Sequence, residues 1–155
     1  MSQNLFHYCA KFVVFDPTFT QILLCKRKWE ADFNEIFSFP WGKIENSDGD
    51  IRKGMQREKN EELWDKCFIR LYKDFCRFAY YVKNDGNHMI LPHHICVFEG
   101  GEIQINEEYS GYKRIEIDQL DESWLNIIPT VVPIIQSLLP YTQEAILNMS
   151  ENYLL

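Results

Sequence analysis

The five cysteines include no C-x-x-C pair, basic residues are not in excess, and no apolar run is long enough to span a membrane. Each absence excludes something. Without C-x-x-C, a zinc ribbon or a redox dithiol motif has no support. Cys9, Cys25, Cys67, Cys76 and Cys96 are odd in number, widely spaced and set in apolar or mixed runs. They read as buried, reduced thiols in a reducing compartment. Sixteen Lys and Arg against 23 Asp and Glu give a net charge of −7. Such a surface does not attract nucleic acid or anionic membrane in general, and a polyanionic ligand needs a local basic pocket and bound metal. The start, MSQNLFHYC, has neither a charged n-region nor an apolar h-region. No signal peptide is expected, and the expected location is cytoplasmic. Asn148-Met149-Ser150 fits the glycosylation pattern but reads as accidental in a cytosolic chain. Repeats, low-complexity tracts and linkers are missing too, so residues 1–155 are expected to form one domain.

What the chain does have is concentrated between Phe39 and Asp65, FPWGKIENSDGDIRKGMQREKNEELWD. The second half reads as a helix carrying Arg57, Glu58, Glu61 and Glu62. Residues three and four apart are helix neighbours, so the three glutamates project from a single face. Carboxylates that close repel one another, and a solvated face would gain by interleaving lysines. A divalent cation neutralises them, and all-oxygen donors favour Mg²⁺ or Mn²⁺ over zinc. Arg57 precedes Glu61 by four residues and can pair with it. Ahead of the helix, Pro40, Gly42 and Gly49 with Asn46, Ser47, Asp48 and Asp50 read as a tight, irregular loop. A loop feeding an acidic helix suits phosphate and metal together.

An R-E-x-x-E-E run by itself is a common solvated helix face. With F-P-x-G-K-I-E upstream at the right distance, the segment resembles the Nudix box, G-x5-E-x7-R-E-U-x-E-E-x-G-U, where U is bulky and apolar. Gly42, Arg57, Glu58, Glu61 and Glu62 match it. Counting forward from Gly42 puts the first box glutamate at Asp48, and counting back from Arg57 puts it at Gly49. The loop is therefore one residue longer than the pattern, and its acid is Asp48 or Asp50. Lys59 stands at the apolar position after Arg-Glu and is expected to reach past the apolar contact to water. Trp64 stands at the box glycine, the usual left-handed cap. It is expected to let the helix run on or to cap it by packing.

The resemblance implies a Nudix hydrolase of MutT-like type. It implies an α+β fold, an α/β/α sandwich with a mixed β-sheet between the box helix and a C-terminal helix. It implies cleavage of the diphosphate linkage of a nucleoside triphosphate or other nucleoside-diphosphate derivative, with Mg²⁺ or Mn²⁺ as cofactor. The implied metal set is Glu58, Glu61, Glu62 and Gly42, with Glu58 and Glu62 holding the principal ion and Glu61 completing or bridging a second. Arg57 orients a carboxylate, and Glu61 or Glu108 takes the proton from the attacking water. Glu108 is favoured over its neighbour Glu107. Substrate contacts fall on Gly42 and Lys43, whose backbone approaches the phosphates, on Arg27 and on Trp41. Lys26-Arg27-Lys28 reads equally as a solvated strand end that blunts a sheet edge.

F-P-x-G-K-I-E looks like the nucleotide-pool-sanitising branch. With Asp65 after the helix it also looks like the mRNA-decapping Nudix domains, though the acidic charge disfavours capped RNA. Dinucleoside polyphosphates and nucleotide sugars stay open. So does a degenerate module that binds a nucleotide or a protein partner without hydrolysis, motivated by the long loop, Lys59 and Trp64. No membrane partner is expected.

Around the box, Leu5 to Phe15 and Gln21 to Lys28 read as a hairpin-like strand pair broken at Asp16-Pro17-Thr18. A loop from Trp29 to Phe37 leads to a short strand, Phe37 to Phe39. Phe68 to Lys83 and Met89 to Glu99 flank the turn signal Asn84-Asp85-Gly86-Asn87. Gly100-Gly101 turns again towards Ile103 to Leu120, and the pattern is a β-meander. Pro133 to Leu139 reads as a helix start, with Pro140 ending or kinking it. Tyr141 to Leu155 has helical composition and packs on the domain or contributes to a homodimer. His93 and His94 face opposite sides of a strand, cannot easily share one metal, and read as structural with one pocket contact. Phe6, Tyr8, Phe37 and Trp41 are the candidates to stack on a base.

Overall fold

A computed structural model describes residues 5–28, 34–122, 124–142, 146 and 151–155. Runs rich in β-branched and aromatic residues set the strands. These are β1 (Phe6–Phe15), β2 (Gln21–Arg27), β3 (Phe37–Ser38), β4 (Trp41–Lys43), β5 (Cys67–Val82), β6 (His88–Gly101), β7 (Tyr109–Glu116) and β8 (Asn152–Leu154). Helix α1 spans Ile51–Leu63 and helix α2 spans Val131–Leu138. The strands form one sheet in the order β3-β2-β1-β6-β5-β8, with β4 added on β1 and β7 on β2. β1 runs parallel to β6 and antiparallel to β2 and β4, so the sheet is mixed.

Alternation along the strands sorts side chains to two faces. Val13, Phe15, Ile95 and Val97 pack with Val131, Ile135 and Leu138 of α2. Phe12, Val14, Leu71 and Cys96 pack with Met55 and Leu63 of α1. The sheet is therefore held between the acidic helix and the later one, as an α+β sandwich. No helix among the described residues is long and apolar enough to cross a membrane.

Several stretches are arranged differently from the sequence expectation. β1 and β2 meet only at Phe15 and Ile22, beside the Asp16 turn. β6 takes one edge of β1, and β4 takes the other at Cys9–Lys11. β5 and β6 do form the hairpin, closed by Lys83 and Asn87, but the meander stops there. Both edges of β6 are occupied, by β1 and β5, so β7 crosses to β2 and pairs with Gln21–Arg27. Gly100 and Gly101 end β6 rather than forming a separate turn.

Of Tyr141 to Leu155, expected to be helical, residues 143–145 and 147–150 lie outside the described residues, and Asn152–Leu154 is strand β8 on Arg70–Tyr72 of β5. An edge of β5 offers backbone partners there and Leu155 enters the α1-side core, so tertiary pairing overrides local composition. α2 begins two residues before Pro133, and a 3₁₀ turn over Leu139–Tyr141 follows it. Part of the loop from Trp29 and the whole Asn148 acceptor sequence lie outside the described residues.

Candidate active site

The loop before α1 and the helix itself are locked together by the residues that make them. Asp50 is the helix N-cap, accepting the Lys53 N–H at 2.8 Å. Gly54 lets the first turn close on the loop: a Cβ there would lie 2.7 Å from Asp48 Oδ2 and 2.9 Å from Ile44 Cδ1. That close approach puts Asp48 against Arg57, whose Nε and Nη2 donate to it at 2.7 and 3.0 Å. The bidentate pair holds the Asp48 carboxyl down at about 2. Of the two candidate loop acids, Asp48 meets the arginine and Asp50 caps the helix.

Arg57 is a hub. Its Nη1 donates to Glu58 Oε1 at 2.8 Å and to Glu61 Oε2 at 3.2 Å, and its Nη2 donates to the Lys43 carbonyl at 3.0 Å. Glu58 points under β4, where a Cβ on Gly42 would fall 2.0 Å from Glu58 Oε2. Only a glycine admits the carboxylate at that place. Burial pushes Glu58 up from the ordinary carboxylate range, against the pull of Arg57.

Glu62 is buried and is pushed up to about 7, chiefly by desolvation. Asn106 Nδ2 donates to its Oε1 at 3.4 Å. The Tyr109 hydroxyl lies beside Glu62, but neither that hydroxyl nor Glu62 Oε2 has a partner of good geometry. A buried carboxylate oxygen without a donor is costly unless something cationic meets it. Among the described residues no three His, Cys, Asp or Glu side chains are already drawn together around one point. Arg57 spreads Glu58 and Glu61 on its own guanidinium instead.

The residues expected to bind metal or phosphate or to act on water (Arg27, Trp41, Gly42, Lys43, Arg57, Glu58, Glu61, Glu62 and Glu108) line one cleft of about 410 Å³, whereas of the candidates to stack on a base only Trp41 does so, Phe6, Tyr8 and Phe37 lying elsewhere. Glu107 does not line it. Glu108 pairs with Arg27, whose guanidinium lies 4.4 Å from the Trp41 ring centre and 5.8 Å from that of Tyr109. Lys11 sits 4.6 Å from the same Trp41 ring. The basic strand end therefore divides: Arg27 enters the cleft, whereas Lys26 pairs with Glu35 at 3.8 Å. Arg27 and Trp41 also wall a second, apolar cavity of about 180 Å³, floored by Phe39, Leu91, Ile128 and Val131.

The NUDIX domain family model matches residues 5–133. The chain belongs to the Nudix hydrolase family. Solved structures agree on the fold. An Ap4A hydrolase from C. elegans, solved as a binary complex, is 13% identical, with a TM-score of 0.69 over 87% of this chain and 96% of that one. The MutT protein of Methanosarcina mazei Go1 is 10% identical, with a TM-score of 0.69 over 93% and 100%. The Nudix domain of Shewanella oneidensis NrtR, complexed with ADP ribose, is 14% identical, with a TM-score of 0.62 over 88% and 90%. No curated protein matches the chain.

In this Nudix chain Lys59 behaves unlike the expectation, whereas of the two outcomes open for Trp64 it is the end of the helix at Trp64 that holds. Lys59 does not reach water: it is 1% exposed, and its Nζ donates to the carbonyls of Trp64 at 3.2 Å and Cys67 at 2.6 Å. The turn after α1 supplies acceptors inside the protein, so the ammonium is drawn inward. The helix does not run on either. It stops at Leu63, and Trp64 takes φ 90° and ψ 152° while its N–H still reaches the Asn60 carbonyl. A tryptophan thus adopts the positive φ that the box normally gives to glycine.

His93 and His94 lie on opposite faces of β6, as expected. His93 lines the apolar cavity, with its ring edge-on to Phe39, and its Nδ1–H donates to the Leu91 carbonyl at 2.9 Å. The site residues that the sequence did not reveal are Asn106 and Tyr109, which meet Glu62 from the approach to β7, and Lys11, which meets Trp41 from β1. Asn106 stands 44 residues after Glu62, and no local pattern marks it.

Proposed function

We propose that this Nudix protein is a metal-dependent hydrolase of the diphosphate linkage in a nucleoside triphosphate or another nucleoside-diphosphate derivative. One observation carries the reading: a carboxylate-lined cleft with cationic side chains shares the wall of Arg27 and Trp41 with an apolar cavity. The first suits a metal-bound polyphosphate, and the second suits a flat, apolar base or similar group.

The residues present fit a hard divalent cation, because the donors are all oxygen and Glu62 Oε2 is buried without a donor. Glu58 and Glu62 would hold the principal ion with the Gly42 backbone beside them, and Glu61 would complete or bridge a second site. Bound Mg²⁺ or Mn²⁺ would neutralise phosphate oxygens and make a bound water more acidic. Arg57 orients Glu58 and Glu61, and the pair of Asp48 with Arg57 fixes that orientation to the loop. Lys43 and Arg27 take phosphate oxygens. In the reaction the water oxygen bonds to phosphorus as the bridging P–O bond breaks, and the water's proton passes to Glu61 or Glu108 at the open side of the cleft.

The experiment is turnover of nucleoside triphosphates, dinucleoside polyphosphates, nucleotide sugars and capped RNA with Mg²⁺ or Mn²⁺. Glu61→Gln and Glu108→Gln are assayed alongside. Metal-dependent release of a nucleoside monophosphate is expected, with the larger fall in kcat marking the base. Binding of nucleotides without product, across the panel and both metals, would overturn hydrolysis in favour of a binding module.

A further inference from the structure

Met89, Leu91 and His93 alternate along β6, so they share one face of the sheet and wall the apolar cavity together. Arg27, Trp41, Lys83 and Met89 line both that cavity and the carboxylate cleft, whereas Leu91 and His93 line the cavity alone. His93 therefore stands on the side away from the place of the phosphates. It is 3% exposed, and its Nδ1–H is committed to backbone, with the Leu91 carbonyl at 2.9 Å and the Arg77 carbonyl at 3.2 Å. Those bonds fix the tautomer: with the proton on Nδ1, Nε2 is an acceptor. The two ring nitrogens point apart, so an Nδ1 held against the strand backbone turns Nε2 away from the strands. Among the described residues nothing donates to Nε2, and it is not sealed in protein as both ring nitrogens of His94 are. Burial pushes the His93 ring down to about 4, with Lys11, in register on β1, adding to the effect. The ring is neutral at ordinary pH and Nε2 keeps its lone pair.

We propose that His93 is a specificity-determining residue: its Nε2 accepts an N–H from the edge of a nucleobase bound in the apolar cavity. The inference rests on the reading of that cavity as the place of the base. A pocket that is apolar apart from a few placed polar groups orients its ligand through those groups. Among the described residues no Asp or Glu side chain lines this one, and the Ser38 hydroxyl donates to the Phe39 carbonyl at 3.4 Å. Phe39 packs edge-on to the His93 ring, 5.7 Å between centres, and holds it in place. A base whose sugar and phosphates lie in the cleft reaches His93 with the edge remote from the sugar. That edge must carry an amino group or a ring N–H. A base with only acceptors there sets one lone pair against another and leaves Nε2 unpaired, and a buried polar group without its partner is costly.

The test is binding rather than turnover, on the full chain in excess chelator, with the four common nucleoside monophosphates. The tightest binder is compared with its analogue whose N–H groups on the edge remote from the sugar are all methylated. The analogue is expected to bind roughly ten- to a hundredfold more weakly, and His93→Phe, which keeps a ring and removes the acceptor, is expected to close that gap. Methyl bulk alone would leave the gap open in the variant. On the unaltered protein, the nitrogen resonance of His93 Nε2 is expected to move upfield with the parent nucleotide and not with the analogue. A gap that persists in His93→Phe, or a parent nucleotide that binds with Nε2 unmoved, overturns the proposal. The resonance decides the matter if the variant does not fold. No binding by any of the four overturns the proposal together with the reading of the cavity, whereas binding as expected from a protein without turnover overturns hydrolysis alone.

Discussion

Lys59 donates its ammonium to the backbone carbonyl of Trp64, so the two departures from the box at the end of α1 are bonded to each other. Helix C-termini leave carbonyls without intrahelical partners, and the macrodipole favours a cation there. Trp64, at φ 90°, turns the chain out of the helix, and Lys59 ties that turn down through the carbonyls of Trp64 and Cys67. The lysine is a buried cap for the helix that carries Glu58, Glu61 and Glu62.

Lys59→Met therefore does more than exchange one buried tail for another. It removes the lysine's bond to the buried Cys67 carbonyl, while the Trp64 carbonyl keeps the Cys67 N–H at 3.3 Å, and leaving a buried acceptor unsatisfied costs about 1–3 kcal/mol. Urea unfolding is expected to show a loss of that size. A gain in stability would mean that desolvating the ammonium outweighs its two bonds.

Gly42→Ala places a methyl group where Glu58 now lies, 2.0 Å from its Oε2. The carboxylate must swing away from β4, and a displacement of that order at a reacting site costs roughly a hundredfold in rate. Steady-state turnover is expected to fall by about that factor, with the far-ultraviolet circular dichroism preserved. Retained turnover would show that the position of Glu58 under β4 is not needed.

Asp48→Asn removes the charge that Arg57 holds at 2.7 Å. Arg57 then loses its charged anchor in the loop and keeps only its bonds to the Lys43 carbonyl, Glu58 and Glu61, so the orientation of the two glutamates loosens. A fall in kcat on the order of tenfold or more is expected, because orientation supplies much of such catalysis. Asp48→Glu, which restores the acid of the box pattern, is expected to keep more activity than the asparagine variant. The opposite ranking would detach the loop acid from the arginine's role.

Acid should destabilise this fold through β6. His93 and His94 are buried, and burial pushes both down to about 4, with Lys11 adding to the effect at His93. The unfolded chain takes up these protons near 6.5, whereas the folded chain stays neutral until about 4. Stability is therefore full above the unfolded value and is lost as pH falls through that window, by up to about 1.4 kcal/mol per pH unit for each imidazole. Urea midpoints measured between neutral and mildly acidic pH check this, and His94→Phe is expected to flatten the slope.

The box was legible because it is local: Arg57, Glu58, Glu61 and Glu62 follow from helix spacing, and Gly42 stands near them in the chain. The choice between Asp48 and Asp50 was not, because it depends on how closely Gly54 lets the helix approach the loop. Lys59 was misjudged because its acceptors belong to a turn beyond the helix. The long strands were readable from composition, but the place of β7 depends on which edges of β6 were already taken. β8 follows from an edge of β5 distant in the chain, so helical composition misled there. Asn106 and Tyr109 reach Glu62 only through that same long-range topology.

The most direct test is turnover and Mg²⁺ binding by the protein and by Glu62→Gln, on the best nucleotide substrate of the panel. The account predicts that hydrolysis requires the metal, and that the variant loses most turnover and binds Mg²⁺ more weakly while remaining folded. Hydrolysis by Glu62→Gln at the rate of the unaltered protein, or hydrolysis that persists in excess chelator, would contradict it.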